Sequence, residues 1–183
     1  MATSYALCLF CNLTFFTCLA SIMIGSSVIT ADSDLVERMC GRSCSRATSS
    51  DKFCKDALNS DWRTPGADAT ILAYVAFGLA HLNASSTQDQ ITSLLSNSTG
   101  PVRQHLEQCL LDYATALNNT EEALTDLDWE EFGRLTSFAA TAWEQAKNCE
   151  SAFNGTKSPL TDNNNNLFGL SEICVCISQQ LIV

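Results

Sequence analysis

Cysteine is the most reactive residue type in this 183-residue chain, and three of its ten cysteines crowd into LVERMCGRSCSRATSSDKFC, Leu35 to Cys54. Cys40, Cys44 and Cys54 could attack a carbonyl as thiolates, hold a soft metal, or pair as disulfides. The first two chemistries need company. A nucleophile needs a base, yet the two histidines, His81 and His105, fall in no HExxH pattern, and the chain has neither GxSxG nor a glycine-rich phosphate loop. His81 lies in an apolar helical stretch and reads as a core-edge residue. Cys174-Val-Cys176 has a metal-like look. Two positions apart on a helix, however, the side chains point to nearly opposite sides and do not share one ion easily. Cys174 is in phase with a buried stripe and reads as a small apolar filler, leaving Cys176 as the thiol to watch. Asp126, Asp128, Glu130 and Glu131 crowd around a predicted helix start, where capping and dipole complementarity explain them better than acid/base catalysis. The chain therefore reads as no enzyme, with no catalytic residue, no metal site and no cofactor.

The compartment decides what the cysteines do. Residues 1–31 carry no Asp, Glu, Lys, Arg or His and run apolar from Tyr5 to Ile29, which reads as a signal peptide cut near Ala31. A signal anchor is the competing reading, disfavoured because no basic cluster follows. Cys8, Cys11 and Cys18 would leave with the peptide, and about 150 residues would remain, enough for one domain with a proper core. In an oxidising compartment the seven remaining cysteines read first as disulfides, and an odd number leaves at least one thiol over. The formal charge of −10 lies entirely after residue 31. Such acidity excludes nucleic acid and anionic membranes as natural partners and favours a basic protein surface. Four sequons after residue 31, at Asn83, Asn97, Asn118 and Asn154, are candidate glycan sites.

The elements that must position these residues are helical. From Pro101, apolar residues recur at three- and four-residue steps: Val102, Leu106, Cys109, Leu110, Tyr113, Ala116, Leu117, Leu124 and Leu127. Asp128 with Glu131 predicts a capping box for the next helix, whose stripe is Phe132, Leu135, Phe138, Ala142, Ala146, Cys149 and Phe153, ended by Asn154-Gly155. An upstream helix from about Ala67 to Leu95 would bury Ile71, Val75, Leu79, Leu82, Ile91 and Leu95, and a closing one Leu167, Leu170, Cys174, Ile177 and Leu181. The run Asp162-Asn-Asn-Asn-Asn166 reads as a connecting loop. Four stripes with short connectors predict an antiparallel, up-and-down four-helix bundle. Cys109 and Cys149 have their sequence midpoint at residue 129, so each lies roughly 30 Å from a turn there, and a bridge between the two helices is geometrically reasonable.

In this order the residues resemble the plant invertase and pectin methylesterase inhibitors, over about Leu35 to Leu181. The similar segments are Leu35-Val-Glu-x-x-Cys40 with Cys54, Leu58-x-Ser60-Asp61-x-Arg63-Thr64, Cys109-x-x-x-Tyr113-x-x-Ala116 and Cys149-Glu150-x-x-Phe153. The resemblance implies an all-α, disulfide-tied bundle, residues 65–183, behind an N-terminal helical hairpin and linker, residues 32–64. It implies bridges Cys40–Cys54 and Cys109–Cys149, with Cys44, Cys174 and Cys176 unassigned and a Cys44–Cys54 link still open. The hairpin is expected to pack away from the bundle, and Cys44 could reach Cys176 or another chain.

The activity implied is non-covalent, one-to-one inhibition of an extracellular carbohydrate-active enzyme, in the apoplast, cell wall or vacuole, with no membrane attachment after cleavage. Cys149-ESAFNGTKSPL160 is similar to invertase inhibitors. Those inhibitors, however, carry Pro-Lys-Phe in the turn between the bridged helices, where this chain has Asp126-Leu-Asp-Trp-Glu-Glu-Phe132. Acids in place of the lysine favour pectin methylesterase as the target. A glycan on Asn118 would block the face it shares with Leu111, Thr115 and Glu122, leaving Gln108, Asp112, Glu130, Arg134 and Thr141 as candidate partner contacts. A secreted small-molecule carrier with a cavity in its core is the reading from another class.

Overall fold

The computed structural model describes residues 32–43 and 50–182. The expected leader, its three cysteines and Cys44 lie outside the described residues. Among those described, six α-helices and no strand occur. α1, Asp32–Arg38, continues into a π-helical turn, Met39–Ser43, and is followed by α2, Asp51–Asn59. Four long helices follow: α3, Ala69–Leu95; α4, Gly100–Asp128; α5, Leu135–Ala152, preceded by a 3₁₀ turn at Phe132–Arg134; and α6, Thr161–Leu181.

Local chemistry marks the helix boundaries. The Asp68 carboxylate accepts from the Ile71 amide at 2.8 Å to cap α3, and the Ser50 hydroxyl accepts from Phe53 to cap α2. Pro101 fits the first turn of α4, where an amide proton has no partner. At the end of α5, Asn154 and Gly155 both take positive φ, 36° and 88°, and stop the helix.

The long helices form a closed ring of neighbours, each of α3, α4, α5 and α6 packing on the next and α6 returning to α3. Their cores pack around Phe77, Leu72, Ile91, Leu106, Tyr113, Leu127, Leu135, Leu167 and Ile173, all fully buried. Residues far apart in sequence meet at equal heights, as antiparallel packing requires: the His81 ring bonds Thr120, and Cys109 is bonded to Cys149 with 4.6 Å between their Cα atoms. Three expected core residues, Ile71, Leu82 and Val102, are exposed instead. In α3 the small residues Ala73, Ala76, Ala80 and Ala84 are buried alongside Leu72, Val75, Phe77 and Ile91.

The N-terminal hairpin corrects a further expectation, since it docks on the bundle rather than packing away from it. Val36, Met39, Cys40, Cys54 and Leu58 join the same buried cluster as the long helices. Cys40 is bonded to Cys54, with Cα atoms 5.6 Å apart, and Lys55 pairs with Glu37 at 2.6 Å. The Phe53 ring lies so close to Gly169 of α6 that a methyl group there would overlap it. Any larger residue at 169 must push the ring away.

The linker into α3 is held by Asp61 and Arg63. The Arg63 guanidinium donates Nε to Oδ1 at 2.9 Å and Nη2 to Oδ2 at 2.7 Å, and its backbone amide donates to Oδ1 as well. These bonds to Arg63 hold the Asp61 carboxyl down at about 2 from an ordinary 3.8. A depressed pKa contributes stability that is complete above the unfolded value and is lost as pH falls through the folded one. The difference in thermal midpoint between the wild type and Asp61→Asn should therefore be constant above pH 3.8 and disappear as pH falls toward about 2, in melts across that range. A gap that persists undiminished at the acid end would mean that the carboxylate does not carry this stability.

Two sequence expectations fail at helix ends. Asp128 does not cap the following helix: it is the last residue of α4, and its Oδ1 accepts from the Tyr74 hydroxyl at 2.7 Å. The Asn run is no loop, because α6 starts at Thr161 and takes the run into its first turns.

Candidate functional site

The α4–α5 pair carries the candidate contacts, and the turn between them projects at one end of the bundle. Gln108 is exposed on α4, and its Nε2 donates at 2.9 Å to Asp112 Oδ1. Asp112 itself is buried beneath it, and burial pushes its carboxyl up. Thr141 lies half-buried on α5, its hydroxyl donating to the Ser137 carbonyl one turn back. Gln108 and Asp112 thus form one continuous unit near the Cys109–Cys149 bridge, whereas Glu130 and Arg134 stand at the turn. Neither Glu130 nor Arg134 belongs to α5, contrary to the expected helix start.

The turn closes α4 by two backbone bonds. The Glu131 amide donates to the Asp126 carbonyl at 2.8 Å and the Glu130 amide to the Leu127 carbonyl at 3.1 Å, with Glu130 between them in the left-handed region at φ 56°. This is a Schellman closure, in which glycine normally takes Glu130's place. A side chain there costs about 1 kcal/mol. The Asp126 carboxylate is buried and gripped on both oxygens by the Arg134 guanidinium, Nε at 3.0 Å from Oδ2 and Nη2 on Oδ1. The Arg134 cation also lies 5.1 Å from the centre of the Phe138 ring. With Asp126 engaged by Arg134 and Asp128 by Tyr74, the carboxylates of Glu130 and Glu131 and the Trp129 ring are left facing solvent. Trp129 is 76% exposed, and its place in an acidic turn, DLDWEEF, was the one sequence signal for it.

The remaining cysteines separate by burial and bonding. Cys174 is the free thiol among the described residues, fully buried, and burial pushes its pKa well above the ordinary thiol value. It cannot serve as a nucleophile at neutral pH. Cys176 is buried and disulfide-bonded, which corrects its reading as the odd thiol. Among the described residues no group of three or more His, Cys, Asp or Glu is placed to hold a metal, and no helix is long and apolar enough to cross a membrane. Of the sequons, Asn97, Asn118 and Asn154 are exposed, whereas Asn83 is half-buried with its amide oxygen turned from solvent. Asn118 shares its exposed face with Leu111, Thr115 and Glu122.

Comparison with known proteins agrees with this architecture. The profile of the family described as plant invertase/pectin methylesterase inhibitor matches residues 35–177. The chain is 30% identical to "Cell wall / vacuolar inhibitor of fructosidase 2" of Arabidopsis thaliana, over 86% of this chain and 83% of that protein. It is 26% identical to "Pectinesterase inhibitor" of Actinidia deliciosa, over 95% of this chain and 92% of that protein. A crystal structure of a mutant form of a pectin methylesterase inhibitor from Arabidopsis superposes with a TM-score of 0.68 at 20% identity, covering 79% of this chain and 95% of that one. At that identity the superposition speaks for the fold.

Proposed function

Because the chain belongs to the plant invertase/pectin methylesterase inhibitor family, a family of enzyme inhibitors and not of catalysts, we propose that its target is a plant pectin methylesterase, bound one-to-one over the active-site cleft. The acidic turn carries this reading. Glu130 and Glu131 are exposed where an inhibitor aimed at an acidic cleft would need a cation, on a chain of net charge −10. An enzyme that handles polyuronate must offer donors or cations to carboxylates along its cleft, and an acidic inhibitor meets that field with attraction. Gln108, Glu130, Arg134 and Thr141 are the contacts proposed on the α4–α5 side, with Asp112 orienting Gln108 from beneath. Action in the cell wall or the vacuole, reached through the secretory route, is supported by the apolar leader, the disulfides and the similarity to a cell wall / vacuolar inhibitor of fructosidase.

The test is a paired inhibition assay of the purified protein against a plant pectin methylesterase and an acid invertase. Stoichiometric loss of pectin demethylation is expected, weaker at high salt because exposed charges are screened. The fructosidase-inhibitor relative makes invertase the second reading. Loss of sucrose hydrolysis with the methylesterase untouched would reverse the choice.

A further inference from the structure

Two of the three tryptophans stand almost wholly in solvent, Trp62 at 86% and Trp129 at 76% exposure. So large an apolar ring is usually covered, and an exposed tryptophan is the residue type most enriched among binding hot spots. The two belong to different segments, the linker before α3 and the turn after α4, yet the fold brings those segments to the same end of the bundle. The Tyr74 hydroxyl near the start of α3 bonds Asp128, next to Trp129. Arg63, next to Trp62, lies against α3 at Gly78, 3.9 Å from where a Cβ would be. Gly78 is one turn beyond Tyr74, and positions four apart share one helix face.

Each tryptophan also has a fixed base. Trp62 is flanked by the bidentate Asp61–Arg63 pair, and Trp129 by the Schellman closure and the Asp126–Arg134 pair. Pre-ordered supports lower the entropy lost when a surface docks. Asp126 and Asp128 occupy the last turn of α4, where the helix dipole disfavours anions. Arg134 and Tyr74 compensate them, and Glu130 keeps a side chain where glycine would be less strained.

We propose that the Trp62/Trp129 end of the bundle is the docking surface for the inhibited enzyme, with the indole rings seated in the sugar-stacking part of its polysaccharide cleft. This inference rests on the inhibitor reading above and names the surface that performs it. The cleft of a polysaccharide-processing enzyme suits such a surface, because flat apolar sugar faces and indole faces make alike demands on a subsite. The exposed carboxylates of Glu130 and Glu131, next to Trp129, match the donors that a polyuronate cleft must present.

Trp62→Ala and Trp129→Ala test this against the exposed-leucine control Leu111→Ala, which lies on the Asn118 face. Each tryptophan variant should raise the concentration for half-inhibition of the methylesterase about 10- to 30-fold, as expected for a truncated hot spot. The leucine variant should stay within about twofold, as a surface change outside the interface does. Thermal midpoints should match the wild type in all three. Wild-type inhibition with both tryptophan variants equally potent would overturn the docking surface while leaving the inhibitor reading intact, and so would an equal loss in Leu111→Ala. A wild type that does not inhibit the methylesterase would overturn the target reading, and the proposed surface with it.

Discussion

Replacing Cys109 and Cys149 together by alanine is expected to lower the unfolding free energy by about 4 kcal/mol. The bond spans 40 residues of sequence, most of α4, the turn and nearly all of α5, so its loss returns a large loop to the unfolded chain. Both half-cystines are fully buried between the two helices, so the replacement also leaves a small packing defect. Urea unfolding of the oxidised wild type and the double variant measures the difference. A loss below about 1 kcal/mol would show that the helices are in register without the bond and that the unfolded chain gains little from release. The bond is also the physical link between the two ends of the α4–α5 pair, because register fixed at Cys109 fixes the Asp126–Arg134 contact that supports the turn.

A second large effect is expected at one of four identical neighbours. Asn164→Ala should cost about 3 kcal/mol, through a lost buried partner and a cavity. Asn165→Ala, at an exposed helical position, should fall within about 0.5 kcal/mol of the wild type. Asn164 is completely buried, accepts from the Tyr113 hydroxyl at 2.7 Å and donates to Glu150 Oε2 at 2.6 Å. Thr161 donates to the other Glu150 oxygen at 2.8 Å, and Asn163 donates to Thr87 at 3.1 Å. The start of α6 is thereby joined to α3, α4 and α5 by side-chain bonds. Removing the Asn164 amide takes from the buried Tyr113 hydroxyl the oxygen to which it donates, and takes a donor from Glu150. Equal stability of the two alanine variants, measured by denaturant unfolding, would show that the Asn164 bonds are replaced by water at no cost.

The stripes from Leu106 to Leu127 and from Leu135 to Phe153 were legible because burial on a helix recurs every three to four residues, and a sequence displays that period directly. What periodicity could not supply was direction at the ends. Asp128 with Glu131 fits a helix start by composition, yet acids at a helix end become distinguishable from acids at a helix start only when the chain's path is known. Here Tyr74, 54 residues away, fixes Asp128 at the end of α4. The Asn run misled for the same reason. Asparagine is a weak helix former, and only its partners on α4 and α5, Tyr113 and Glu150, make Asn164 a core residue. Of the candidate contacts, Gln108 and Asp112 share a helix face by spacing alone, whereas burial of Asp112 and the left-handed Glu130 belong to the folded chain.

The sequence by itself determined the helical class and the order of the four long helices, because both are written in local spacing and residue type, and its motifs carried the resemblance to the family. Tertiary structure decided which of the cysteines after residue 31 is the buried thiol, which of four asparagines is structural, that the hairpin docks against Gly169, and that Trp62 and Trp129 share one end of the bundle. The physical reason is the same in each case. These properties depend on which distant side chain fills the space or accepts the bond, and distance along the chain carries no record of that until the helices pack.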